Sequence, residues 1–188
     1  MTTVQMPARE SWKNVARGAA VAVAFPIANA TLDKSIMRSY PLLDNHLYFI
    51  SVQLQRMARA DQVELVARAA DVLAQTDALI ATAGEKTRSA LAELAAYTSQ
   101  PAGCRTLSGV KKTPQSTRVI NLYQAHDAIL LVQNTRWIDG ELPDADYQDA
   151  VQASARQIRA LAAAVSSLFR EGLDVANAIK AAKAAEHA

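Results

Sequence analysis

The chain has 188 residues, is 51% hydrophobic and 20% charged, and carries a formal net charge of +2. That is enough apolar material for one substantial core and too little charge to imply a polyanionic partner by itself. The single cysteine, Cys104, excludes an internal disulfide and a zinc site built from several thiolates.

Lone-cysteine usage fits a reducing, cytoplasmic compartment. No apolar stretch reaches the roughly 20 residues that a membrane-crossing helix needs, so no membrane association is expected. Charge is segregated along the chain: Lys and Arg minus Asp and Glu gives +4 over 1–60, −3 over 61–100, +4 over 101–118 and −3 over 119–188.

Residues 1–16 lack periodicity and read as a flexible arm. Gly18 to Ala30 is apolar, follows Arg9, Lys13 and Arg17, and ends Ala28-Asn29-Ala30 in the manner of a secretory cleavage site. Against export stand Glu10 in the charged part, Pro26 late in the run and a chain that still begins at Met1. Ala20 to Phe25 reads equally as a short buried strand, with Val21, Val23 and Phe25 on one face.

Thr31 can cap a helix to about Tyr40, which Pro41 should end, and Asp44 looks like a second cap. From there Leu47, Ile50, Leu54 and Met57 recur at helical spacing. Asp61 opens a longer helical stretch with the stripe Leu65, Val66, Ala69, Leu73 and Ile80, interrupted at Gly84 and resumed through Leu91, Leu94 and Tyr97. A hairpin and one kinked helix both satisfy that pattern. Residues 99–117, rich in Ser, Pro and Gly with Arg105, Lys111 and Lys112, predict a basic loop.

Arg118 to Tyr123 is short, β-branched and alternating, and predicts a strand. Ala125 to Ile138 predicts a helix with Leu130, Leu131, Trp137 and Ile138 inward, stopped by Gly140. Pro143 and Asp144 open the last helix, whose stripe runs Tyr147, Val151, Ala155, Ile158, Leu161, Val165 and Phe169, punctuated by Gly172. The fold class is therefore mainly α. A helical scaffold over 17–100 and a basic linker over 101–116 precede a strand-helix-helix module over 117–172 and a helical tail over 173–188.

Strand, helix, tight turn, helix is the order of a ribbon-helix-helix module, in which one strand from each of two chains pairs into a ribbon that enters the DNA major groove. Such a module predicts obligate homodimers. With Ile120 and Leu122 inward, alternation turns Gln115, Thr117, Val119 and Asn121 outward and leaves Arg118 near the strand's start. Gln115, Thr117 and Asn121 are then the expected base readers, while Lys111 and Lys112 neutralise phosphates. The plainer alternative is a helical protein-interaction or accessory protein whose basic loop is merely solvated and which binds no nucleic acid.

Ala19 to Ala60, Thr117-Arg118-Val119 running into Tyr123-Gln124-Ala125-His126-Asp127-Ala128, and Thr135-Arg136-Trp137-Ile138-Asp139-Gly140 together resemble the AcaB-like family. Those proteins are ribbon-helix-helix transcription regulators encoded on conjugative plasmids and integrative conjugative elements. The resemblance implies a dimeric cytoplasmic regulator that binds double-stranded DNA through about Thr117 to Leu122, with Lys111, Lys112 and Arg118 as its electrostatic contacts. Apolar Val119 on the outer face departs from an ideal reader.

No enzyme is expected. His46, His126 and His187 are far apart, and adjacent His126 and Asp127 point to different helix faces. No phosphate-binding glycine loop, metal-binding His pair or nucleophile elbow occurs, so no cofactor, metal or small-molecule substrate is expected. Cys104 beside Arg105 reads as incidental.

Overall fold

The computed structural model describes residues 3–5, 20–58, 62–97 and 104–186. Most of the arm, with Arg9, Lys13 and Arg17, lies outside them, as does His187. The fold is mainly α. In chain order it comprises β1 (Thr3–Gln5), β2 (Val21–Ile27), α1 (Ala30–Tyr48), a π-helical turn (Phe49–Leu54), α2 (Gln55–Met57), α3 (Val63–Glu93), β3 (Arg105–Lys111), α4 (Pro114–Ile138) and α5 (Asp144–Glu186). Among the described residues no helix is long and apolar enough to cross a membrane.

The apolar run after the arm is a strand, and Phe25 and Ile27 are almost wholly buried on the face that Val21 and Val23 share. β2 pairs antiparallel with β3 along the full length of both, from Val21 opposite Lys111 to Ile27 opposite Arg105. β1 adds a short parallel strand on the other edge of β3, Thr3 standing opposite Thr106 and Gln5 opposite Ser108. The arm and the basic linker thus each contain a strand that was expected to be loop.

Two helical expectations change. Pro41 does not end the first helix: α1 runs through it, starts at the Asn29 cap rather than Thr31, and makes Asp44 an interior residue. A helical proline forfeits one backbone hydrogen bond. Here buried Ile36, Tyr40, Leu43 and Leu47 hold the helix on both sides of it. α5 continues through Gly172 to Glu186, and of the two readings of the 61–97 stripe it is the single helix that forms, α3 running through Gly84.

The strand expected at 117–122 is instead the opening of α4. Thr113 accepts from the Ser116 amide at 3.1 Å and Pro114 occupies the first turn, which together start a helix. On a helix Val119, Tyr123, His126 and Leu130 share one buried face, so the alternation that suggested a strand was a fragment of a longer period. Gly140 does supply the left-handed stop, at φ 75°. Trp137 and Ile138, expected inward, are 41% and 68% exposed.

The chain is built twice on one plan. A seven-residue strand, one spacer residue and a helix-capping residue occur at Val21–Ile27, Ala28 and Asn29, and again at Arg105–Lys111, Lys112 and Thr113. Each is followed by a first helix and a longer second one. Their packing is crossed: α1 lies against α5, and α4 against α3. Tyr-x-x-x-Asp-x-x-Leu recurs as Tyr40, Asp44 and Leu47 in α1 and as Tyr123, Asp127 and Leu130 in α4. All six are buried, and the Phe25, Tyr40 and Tyr123 rings meet edge to face at 6.3 and 6.2 Å under the sheet.

Candidate nucleic-acid interface

The two aspartates of that repeat tie each half to the other. Asp127 in α4 accepts the amides of Ala28 and Asn29 at 2.8 and 2.9 Å, where β2 turns into α1. Asp44 in α1 accepts from the Ser116 hydroxyl and lies 3.5 Å from the Lys112 ammonium, where β3 turns into α4. Burial raises both carboxyls above the ordinary aspartate value, against the pull of those donors. The strand-to-helix corners are thereby fixed reciprocally, as a two-fold axis between β2 and β3 would require.

Register and burial define the two sheet faces. Leu107 faces the core beside Phe25, so Thr106, Ser108 and Val110 take the opposite face, with Pro26, Ala24 and Ala22 directly across from them. Ala22, Ala24 and Pro26 are exposed. These side chains are short, so the backbone ribbon itself could approach a groove floor closely.

Charge is partitioned by layer. The strands and first helices, residues 20–58 and 104–138, carry Lys34, Arg38, Arg56, Arg105, Lys111, Lys112, Arg118 and Arg136 against Asp33, Asp44 and Asp127. All three carboxylates are buried, at 1%, 0% and 9% exposure. Asp33 is covered by Arg105, whose side chain is 47% exposed. Lys34 and Arg118 stand five residues past Asn29 and Thr113 respectively, so each half offers an exposed cation at the same place. The second helices, by contrast, are net acidic.

The residues singled out from the sequence fall into three groups. Lys111 ends β3 and is half-buried. Lys112 is sealed, its side chain 3% exposed, with Nζ donating to Asn45 at 2.6 Å and set 5.8 Å from the Tyr48 ring centre. Burial lowers its pKa, Asp44 opposing.

Gln115, Thr117, Arg118 and Asn121 lie on α4 instead of on a ribbon. Gln115 and Arg118 both donate to Asp77, at 3.1 and 2.9 Å, and Thr117 is half-buried. Arg118 and exposed Asn121 line a cleft of about 510 Å³ between α3 and α4 together with Arg88. The Arg118–Asp77 pair is solvent-exposed on both sides, an arrangement weak enough for a phosphate to displace. Thr106, Ser108 and the β2 row were missed because they lie in segments read as loop and as core; the repeated Tyr-x-x-x-Asp-x-x-Leu was the signal that could have exposed the duplication.

His46 and His126 are packing residues in this geometry. His126 is 3% exposed with Nε2 3.4 Å from the Thr87 hydroxyl, and burial lowers its pKa to about 4. His46 stacks on Phe169 at 4.0 Å and meets the Ser166 hydroxyl at 3.2 Å. Among the described residues no group of three or more His, Cys, Asp or Glu side chains could hold a metal ion.

No family model matches the sequence, and no curated protein matches it either. Among solved structures, the crystal structure of selenomethionine-containing AcaB from uropathogenic E. coli superposes with a TM-score of 0.75, covering 86% of this chain and 84% of that one at 16% identity. The chain has the fold of AcaB.

Proposed function

We propose that the protein is a transcription regulator that binds double-stranded DNA, with the β2–β3 ribbon as its reading head. The observation that carries this reading is the antiparallel ribbon formed by two cross-packed strand-helix-helix halves, its outer face lined by short side chains, exposed Ala22, Ala24 and Pro26 beside half-buried Thr106, Ser108 and Val110. Two antiparallel strands have the dimensions of a major-groove reader, and here the three-residue β1 lies along the other edge of β3. The strands and first helices carry Lys34, Arg38, Arg105, Lys111 and Arg118 with their own carboxylates buried, and the exposed Asp77 of α3 is paired with Arg118, so the layer presents net positive charge to a polyanion. The AcaB-like resemblance of the sequence and the shared fold of AcaB agree with a regulator of a conjugative element.

The expected contacts are redistributed. Lys111 and Arg118 remain phosphate ligands and are joined by Lys34, whereas Lys112 acts through the fold by fixing the corner between β3 and α4 and Gln115 by tying α4 to Asp77 of α3. Asn121 flanks the groove as a backbone contact. The segment expected to pair with a second chain, 117–122, is helical, and the ribbon that forms instead, β2 with β3, is paired within one chain, so the ribbon itself needs no second copy.

Titrating the protein into fluorescent random-sequence duplex DNA at low and near-physiological salt tests the reading by anisotropy. Several neutralised phosphates must give steeply salt-dependent binding. Absence of binding even at low salt would leave protein contact as the better reading, through the turn between α4 and α5 where Ile138 and Trp137 are exposed.

A further inference from the structure

We infer that one chain reads one asymmetric DNA site, using thymine methyl groups at one end of the ribbon and polar base edges toward the other. The inference rests on the DNA-binding reading above. In a ribbon made from two identical chains the two strands carry the same residues, so the favoured target is palindromic. Here the ribbon is closed within a single chain, and its strands differ at every outer position.

The outer face is ordered in register. At one end Ala22 stands opposite Val110, both apolar; at the centre Ala24 stands opposite Ser108; at the other end Pro26 stands opposite Thr106. Ala22, Ala24, Pro26 and Val110 have no side-chain group that donates or accepts a hydrogen bond. The thymine 5-methyl is the apolar feature that the four base pairs present in the major groove, and alanine side chains pack against it. Ser108 and Thr106 carry hydroxyls that can both donate and accept, so the centre and the far end contact base edges by hydrogen bonds.

Duplex DNA is the occupant for which the surroundings fit. Lys34 and Arg118 occupy matching exposed positions near the starts of α1 and α4, the helices into which the two ribbon strands lead, and are the cations this inference assigns to phosphates. The corner aspartates that could repel a phosphate are buried, Asp127 against the Ala28 and Asn29 amides and Asp44 against the Ser116 hydroxyl and the Lys112 ammonium.

The test is selection of sites from a random duplex library with the full chain, followed by sedimentation of the protein with the selected duplex. The expected result is a non-palindromic consensus with a thymine run at one end, bound by one chain per duplex. Replacing those thymines by uracil, which lacks the methyl, should weaken binding about fourfold per contacted methyl. Ser108→Ala with Thr106→Val should relax preference at the centre and far end while leaving the thymine run selected. A palindromic consensus occupied by two chains, or indifference to uracil, would overturn this inference and leave DNA binding standing. Failure to bind any duplex at low salt removes both.

Discussion

Asp127 is the most exposing place to perturb this fold, because one carboxylate joins residues almost a hundred positions apart. Truncation in Asp127→Ala strands the amides of Ala28 and Asn29, which it holds at 2.8 and 2.9 Å. Each bond to a charged acceptor contributes about 1.5–3 kcal/mol, offset by the cost of burying the carboxylate, whose pKa is raised for that reason. A net loss of about 3 kcal/mol is expected. For a chain of 188 residues the unfolding entropy is about 0.4 kcal/mol/K, so Tm should fall by about 8 °C. Asp127→Asn keeps the shape and one acceptor oxygen and should lose roughly half as much. Calorimetry of the three proteins at pH 7 decides the matter. A fall under about 2 °C for the alanine variant would refute the reciprocal-corner argument, since it would show those amides to be as well served by water.

Acidification should expose His126. Burial lowers its folded pKa to about 4, below the ordinary histidine value of 6.5, so the neutral ring is favoured by the fold; that stability is complete above 6.5 and is lost as pH falls toward 4. The loss reaches about 3 kcal/mol, read as the difference in denaturant stability between wild type and His126→Leu across that window. Asp44 and Asp127, whose folded pKa values are raised, act in the opposite sense, which is why the difference and not the raw curve is the measurement.

Lys34→Glu and Arg118→Glu should each weaken binding to all duplexes and lower the salt slope by about one, by anisotropy. Gly84→Ala should raise stability by about 0.5–1 kcal/mol, because a Cβ there meets nothing within 4 Å on a helix interior. Gly140→Ala, at φ 75°, should lower it by about 1 kcal/mol, both by thermal unfolding.

Much of the helical content was legible because its signals are local: the long stripe of α5, Pro143 before it and the Gly140 stop all sit where the sequence places them. β2 was legible as one of two readings, the other an export signal, through the alternation of Val21, Val23 and Phe25. β3 was not. Among Arg105 to Lys111 only Leu107 and Val110 are apolar, and a Gly and a Ser gave the segment a loop's composition, while its stability comes from two neighbouring strands distant in sequence. The strand mistakenly placed at 117–122 shows the converse, since Thr113 and Pro114 already announced a helix there. As a consequence the expected readers were set one element too late. The mid-chain basic cluster was visible, but the buried pairing of Lys112 was not, because its partner Asp44 is far away in sequence.

Closing the ribbon within one chain also changes how its recognition can evolve. When two copies share one gene, each substitution arrives on both strands and alters both ends of the target together. Here a change at Ala22 or at Thr106 touches one end alone, while the aromatic cluster and the paired aspartates beneath stay as they are. Binding preference can therefore drift, or be redesigned, one end at a time, without a compensating change in the other half.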